Sequence, residues 1–328
     1  MTLIANDIPR AVLLDTAVAS TNLGDQIIME AVRKELDRPL AGALVTAVAT
    51  HDVMGPKGRS LMRAARVAVA GGTNLISSHL WLRSTWRLRP ADAFLGAKVV
   101  LMGVGWYQFQ ARPDPYTRWL LKRVLHPTAL HSVRDGYTAE MLRSIGIANV
   151  TNTGCPTLWG FTAQACAALP GTRAEAVVTT LNTYIPDRAL DGRLIETLRT
   201  RYKTIYAWVQ TAEDHAYLRS FGEDLVILEP SLAAYDALLR DAPSLDYVGN
   251  RLHGGIRALQ HGRRAVIVEI DNRAREMGRD FNLPTVERDN FERLTAMIDG
   301  SLSVDLRPPT PEIARWKQGL TALLESTR

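Results

Sequence analysis

The run Arg251-Leu252-His253-Gly254-Gly255 puts a guanidinium, an imidazole and two side chains' worth of bare backbone into one short stretch. A guanidinium is a planar fork of donors suited to a carboxylate or phosphate, and an imidazole moves a proton near neutral pH. A Gly pair lets the backbone approach a ligand closely, at the end of a helix where free N–H groups and the dipole favour an anion. Read this way, the stretch is an anion site with a built-in acid. The same residues also fit a tight strand-to-helix turn whose Arg and His are simply solvated, and taken alone they leave both readings open. The elements that must hold them are legible on either side. Tyr247 and Val248 lead into Gly249-Asn250, a helical segment runs to His261 with Gly262 as its stop, and an apolar run covers residues 265–270, so residues 244–271 form a strand–turn–helix–strand unit.

Earlier positions repeat the pattern of polar or glycine residues at carboxyl ends of strands. Asn22 and Asp25 follow a strand at 11–14 and precede a helix at 26–36, where they suit a ligand's hydroxyls or the capping of that helix. Gly71 and Gly72 follow a strand at 66–70, marking close backbone approach or a tight turn. Trp106 and Tyr107 follow a strand at 98–102 through Gly103-Val104-Gly105, which is not a dinucleotide fingerprint; the rings suit stacking on a sugar or a place in the core. Arg134 lies between a strand at 129–133 and a helix at 136–145, a position for a second anion contact. Residues 79–90 interleave Trp81 and Trp86 with Arg83, Arg87 and Arg89, which fits an anionic glycan carrier or a membrane surface, or a solvated helix face over buried Trp.

The elements that carry these positions form two alternating series. The first includes a further strand at 44–48. After 152–156 the periodicity weakens, and 164–173 with Pro170-Gly171 reads as a linker. Strands then fall near 176–180, 204–209, 225–228 and 245–248, with helices near 188–199, 212–221 and 231–240. Two such series predict an α/β protein of two doubly wound, Rossmann-like domains facing a cleft. The predicted boundaries are residues 1–163 (contributing Arg134), 174–306 (with the Arg251–Gly255 turn) and a helix in 307–328 that packs back on the first domain.

Several motifs in order resemble one family. Arg251-Leu252-His253-Gly254, followed by Ala258, Gly262 and Asp271-x-Arg273-x-x-Glu276-Met277, is similar to the C-terminal signature of the polysaccharide pyruvyl transferases. Asn22-Leu23-Gly24-Asp25-Gln26, Gly71-Gly72 and Ser132-Val133-Arg134-Asp135 resemble that family's other motifs, so the resemblance spans about Asn22 to Pro284. Upstream, where the family carries Gly and Tyr, this chain has Asp15-Thr16-Ala17-Val18-Ala19. The resemblance implies a glycosyltransferase-B-like architecture and transfer of pyruvate from phosphoenolpyruvate to a sugar of a surface or extracellular polysaccharide, or its lipid-linked precursor. A pyruvate ketal forms and phosphate leaves. Two Arg forks and a helix N-terminus fit the donor's carboxylate and phosphate, and His253 is the candidate acid for its methylene carbon. Gly254, Gly255, Asn22, Asp25, Gly71, Gly72 and Trp106 are further candidate substrate contacts.

Composition limits the rivals. In 328 residues, 46% hydrophobic and 22% charged is a globular composition, and +5 net charge suits anionic small molecules or a lipid surface but not a nucleic-acid partner. Two cysteines, Cys155 and Cys166, form no disulfide framework or zinc cluster, and no acidic or His cluster has metal-ligand spacing, so neither cofactor nor metal is expected. Asp7 and Arg10 interrupt any signal-peptide core and no run of about 18 apolar residues occurs, which reads as a cytoplasmic protein, with peripheral association at the inner membrane face left open. Two other functions fit the same residues: a nucleotide-sugar glycosyltransferase of similar architecture, and a non-catalytic glycan-binding protein.

Overall fold

A computed structural model of the chain describes residues 8–82 and 85–326. Asp7 and Arg83, both used above, lie outside the described residues. Contacts divide the chain into two units: Met1–Ser20, Ile28–Trp159 and Pro308–Arg328 form the first, and Thr21–Ile27 with Gly160–Arg307 form the second.

The first unit holds β1 (Arg10–Asp15), α1 (Leu23–Leu36, its first turn counted with the second unit), β2 (Leu44–Ala49), α2 (Pro56–Ala64), β3 (Val67–Gly71), β4 (Val99–Met102), α3 (Pro115–Val124), β5 (His131–Val133), α4 (Gly136–Ser144) and β6 (Val150–Asn152). Its main sheet is parallel throughout, in the order β2-β1-β3-β4, and β5 and β6 form a separate parallel pair. The central strands are continuous apolar runs because helices cover both faces, and Ala11, Val12, Leu13, Leu14 and Val67–Ala70 are all buried. Strand order reverses between β1 and β3, so the loops after these two strands diverge and leave a crevice at their carboxyl ends.

The second unit contains α5 (Ala163–Ala167), β7 (Ala176–Thr179), α6 (Arg188–Arg199), β8 (Thr204–Ala207), α7 (Ala212–Arg219), β9 (Val226–Ile227), α8 (Leu232–Asp241), β10 (Leu245–Gly249), α9 (Leu252–Gln260), β11 (Ala265–Glu269), α10 (Asn272–Phe281), β12 (Thr285–Glu287) and α11 (Phe291–Asp299). All its strands are parallel, in the order β12-β11-β10-β7-β8-β9. Counted within the unit this is the doubly wound order 3-2-1-4-5-6, with its reversal between β7 and β10. The last helix, α12 (Thr310–Glu325), belongs to the first unit: Trp316 packs edge-on against Trp159 with ring centres 5.7 Å apart, and Arg66 Nη1 donates to the Leu324 carbonyl at 2.7 Å.

The linker read at 164–173 is corrected. The side chain of Thr162 accepts from Ala165 N to start α5, and Cys166 is buried beneath it; a five-residue helix is too short to show its period in sequence.

Candidate functional site

At the reversal in the second unit, the turn between β10 and α9 is fixed from several sides. Gly249 lies so close to β7 that a Cβ there would sit 2.7 Å from Thr180 N, so only glycine permits this strand pairing. Thr180 Oγ1 accepts from Arg251 N at 3.2 Å, Tyr247 Oη donates to the Arg251 carbonyl at 2.7 Å, and Tyr235 Oη donates to the Gly254 carbonyl at 2.8 Å. Burial raises the pKa of both tyrosines, so each stays a neutral donor. Tyr235 is held in turn by face-to-face stacking on Trp208, 3.9 Å between ring centres.

Arg251 stands at the N-cap of α9 and His253 lies in its first turn, both buried. Among the described residues α9 has no N-cap side chain that accepts from its first turn, whereas α6, α8, α10 and α11 are capped by Asp187, Ser231, Asp271 and Asn290. The positive end of α9 is thus left for something other than a cap. The Arg251 guanidinium pairs with Asp214, whose carboxylate also receives N–H groups from Gln210 and Thr211. Its Nε is buried without a hydrogen-bond partner among the described residues, as are Gln210 Nε2, Asn182 Nδ2 and Asn250 Oδ1.

Three neighbours were not singled out as site residues from the sequence. The ring of Tyr184 has two guanidiniums over it, Arg251 at 5.1 Å and Arg273 at 5.5 Å. Burial works against the charge of Arg273, and the Asp271 carboxylate beside it, helped by Asp25, holds its pKa above the ordinary value. Gln210 joins the first turn of α1 to this site: its carbonyl accepts from Leu23 N at 3.1 Å, and its side chain lies 3.1 Å from where a Cβ on Gly24 or on Gly254 would be. The structure therefore brings Asn22 and Asp25 together with Arg251 and His253 inside the second unit. Asn22 Oδ1 accepts from Gly24 N at 3.0 Å, which starts α1, and Asp25 is buried. Of these signals, only Arg273 lay in a motif; Tyr184 and Gln210 sit on loops with no pattern of their own.

Four expectations are corrected. The pair Gly254-Gly255 makes room for protein rather than ligand, since a Cβ on Gly255 would stand 2.7 Å from Ile267 Cδ1 and 2.9 Å from the Tyr247 ring. Gly71 and Gly72 do the same for α1: a Cβ on Gly71 would be 2.7 Å from Val32, one on Gly72 would overlap Ile28, and Gly72 has φ 61°. Trp106 is fully buried, donating from Nε1 to Gln110 at 3.1 Å and Ser78 at 3.3 Å, so no sugar reaches it. Arg134 is 1% exposed, forked onto Asp135 at 3.1 and 2.9 Å and donating to Asn74 Oδ1 at 2.6 Å. It supports Asn74 from beneath and offers no open fork to an anion.

At its own reversal the first unit has a cavity of about 360 Å³ lined by residues that include Ala19, His51, Asn74, Arg87 and Tyr107. These follow β1, β2, β3 and β4, so the loops at four strand ends converge there. Ala19, Thr73 and Gln108, none of them glycine, hold φ of 62°, 51° and 55° around it, the kind of backbone strain that clusters at ligand sites. Tyr107, and not the buried Trp106, is the aromatic residue of this loop that lines the cavity.

Two doubly wound parallel sheets, each with polar groups at its strand reversal, make this a glycosyltransferase-B-like α/β protein. The model of one family, described as polysaccharide pyruvyl transferase, matches residues 22–272, most of the chain. The chain belongs to the polysaccharide pyruvyl transferase family, a family of transferases that act on polysaccharide. No curated protein matches the sequence. Among solved structures, a Listeria monocytogenes protein described as a UDP-N-acetylglucosamine 2-epimerase is 12% identical over 98% of this chain and 91% of its own, with a TM-score of 0.51. S. aureus MnaA, solved with UDP, is 10% identical over 93% and 94%, with a TM-score of 0.50. At such identities the likeness is one of fold alone. Among the described residues no group of three or more His, Cys, Asp or Glu can hold a metal ion, and no helix is long and apolar enough to cross a membrane.

Proposed function

We propose that this chain transfers pyruvate from phosphoenolpyruvate to a sugar of a surface or extracellular polysaccharide or its lipid-linked precursor. The observation that carries the reading is the N-terminus of α9 at the strand reversal, with Arg251 at its N-cap and His253 in its first turn. The N–H groups of its first turn and Arg251 hold the donor's phosphate and carboxylate. Arg273, beside Tyr184, adds a second cation whose charge Asp271 and Asp25 keep in place.

His253 then donates a proton to the donor's methylene carbon, which becomes a methyl group. The adjacent carbon gains oxocarbenium character and is attacked by one sugar hydroxyl. A second hydroxyl of the same sugar displaces phosphate and closes the ketal; one hydroxyl proton replaces the proton His253 gave, and the other leaves with phosphate. Asp214 orients the Arg251 fork, and Asn22 and Asp25 are positioned by Gln210. The acceptor is assigned to the cavity of the first unit, where His51, Asn74 and Tyr107 match sugar hydroxyls and an apolar ring face. No cofactor or metal enters this scheme.

His253→Gln and Arg251→Lys test it, the Lys variant keeping the charge opposite Asp214 while losing the fork. In a phosphate-release assay with phosphoenolpyruvate and a glycan acceptor preparation, His253→Gln should lower kcat roughly a hundredfold to ten-thousandfold while the donor still raises the Tm. Arg251→Lys should raise the donor KM. Near-normal kcat in His253→Gln refutes the acid assignment. A Tm raised by UDP-sugars and unmoved by phosphoenolpyruvate replaces the whole reading with nucleotide-sugar transfer.

A further inference from the structure

One face of the first unit has no part in the chemistry above. On α3 the inward side chains Thr117, Leu120, Leu121 and Val124 are buried, and the outward row is Pro115, Arg118, Trp119, Lys122 and Arg123, all exposed. Trp119 packs edge-on against Phe94, ring centres 6.4 Å apart, yet Phe94 remains 71% exposed. Next to the start of α3, Trp81 donates from Nε1 to Asp114 Oδ2 at 2.9 Å; its polar edge is tied down while 65% of the residue stays in solvent, with Leu82 beside it at 62%. Asp114 is the N-cap of α3 and is bonded by Thr117 N and His79 as well. Exposed Arg89 and Arg112 lie in the neighbouring loops.

Charge is concentrated in the same segment. Residues 79–125 carry eight Lys and Arg against two Asp and Glu, a net +6, so the rest of a chain whose total is +5 is left at −1. We propose that this face docks on a bilayer containing anionic phospholipid, with Trp81, Leu82, Phe94 and Trp119 entering the headgroup layer and the surrounding cations meeting lipid phosphates. Aromatic and aliphatic side chains ringed by cations gain at such an interface from both apolar burial and the negative surface potential. A purely ionic partner, such as an acidic polymer in water, would leave Leu82 and Phe94 without a gain. A second copy of the same face is disfavoured because a two-fold contact sets like charges against each other. The inference does not depend on which donor the enzyme uses.

The test is sedimentation of the full chain with vesicles of phosphatidylcholine alone and of phosphatidylcholine mixed with phosphatidylglycerol. The parent protein should pellet with the mixed vesicles and far less with phosphatidylcholine alone, and added salt should release it. Arg118→Gln and Lys122→Gln should each cost about fivefold in partition, the ~1 kcal/mol of one cation near an anionic surface. A Trp81→Ala/Phe94→Ala/Trp119→Ala variant, whose circular dichroism should match the parent because the removed groups are exposed, should lose binding. No pelleting of the parent with mixed vesicles overturns the proposal. So does unchanged pelleting of the aromatic-deleted variant, which marks a polyanion site, or loss of a concentration-dependent dimer in that variant, which assigns the face to a second copy.

Discussion

Replacing Arg134 with Ala should unfold the first unit more readily, with any effect on donor binding secondary. Its guanidinium is fully buried, and so is the Asp135 carboxylate that takes two of its donors; Asn74 Oδ1 takes a third. Space for this arrangement is built in, because a Cβ on Gly105 would overlap the guanidinium. Removing one member of a buried pair strands the other, at about 3–5 kcal/mol. At ~2–4 °C of Tm per kcal/mol for a unit of this size, that is a fall of about 6–20 °C. Calorimetry of Arg134→Ala, Asp135→Ala and the double variant measures it, and the double variant should lose less than the two singles added together, since no charge is left stranded. A Tm within about 2 °C of the parent, combined with weakened phosphoenolpyruvate binding, would refute the buried-pair reasoning and return Arg134 to the ligand.

Other perturbations follow from the same geometry. Gly255→Ala should lower stability by ~1–3 kcal/mol, measured by denaturant unfolding, because the new Cβ must displace Ile267 and Tyr247; a neutral result would mean the glycine is there for a ligand after all. His131 accepts from Leu101 N and donates to the His126 carbonyl, and burial pulls its pKa down to about 4. The unfolded chain therefore binds a proton near its ordinary value while the folded chain does not, so stability should fall as pH drops from about 6.5 to 4, by ~3 kcal/mol in all, and level off below. His131→Asn should flatten that part of the pH profile. Turnover should survive EDTA, and activity lost to chelator and restored by magnesium or manganese would point to a metal-assisted nucleotide-sugar transferase.

Sequence patterning disclosed the α/β class because buried parallel strands are short apolar runs and their helices carry a 3.6-residue stripe. The unit at 244–271 was legible for that reason, and β10, α9 and β11 fall within it. What surrounds a glycine was not legible: the missing side chain at Gly71, Gly72 or Gly255 is visible in sequence, but whether Val32, Ile28 and Ile267 or a ligand fills the gap depends on tertiary packing. The same holds for charge. Arg134 read as an open fork because Asp135 is a sequence neighbour that need not face its Arg, and the carboxylate that orients Arg251, Asp214, lies 37 residues from it. Tyr184 and Gln210 belong to irregular loops, whose positions are set by the sheet beneath them and not by any local period.

The order in which the units are made carries a consequence for biogenesis. α12 belongs to the first unit but follows the whole of the second in the chain, so a nascent chain completes the six-stranded sheet before Trp316 exists to cover Trp159. Until then Pro39, Glu35 and Arg66 also lack the partners that α12 provides in Thr321, Lys317 and the Leu324 carbonyl. The half that is synthesised first is therefore finished last, and during that interval it is the half in need of a chaperone.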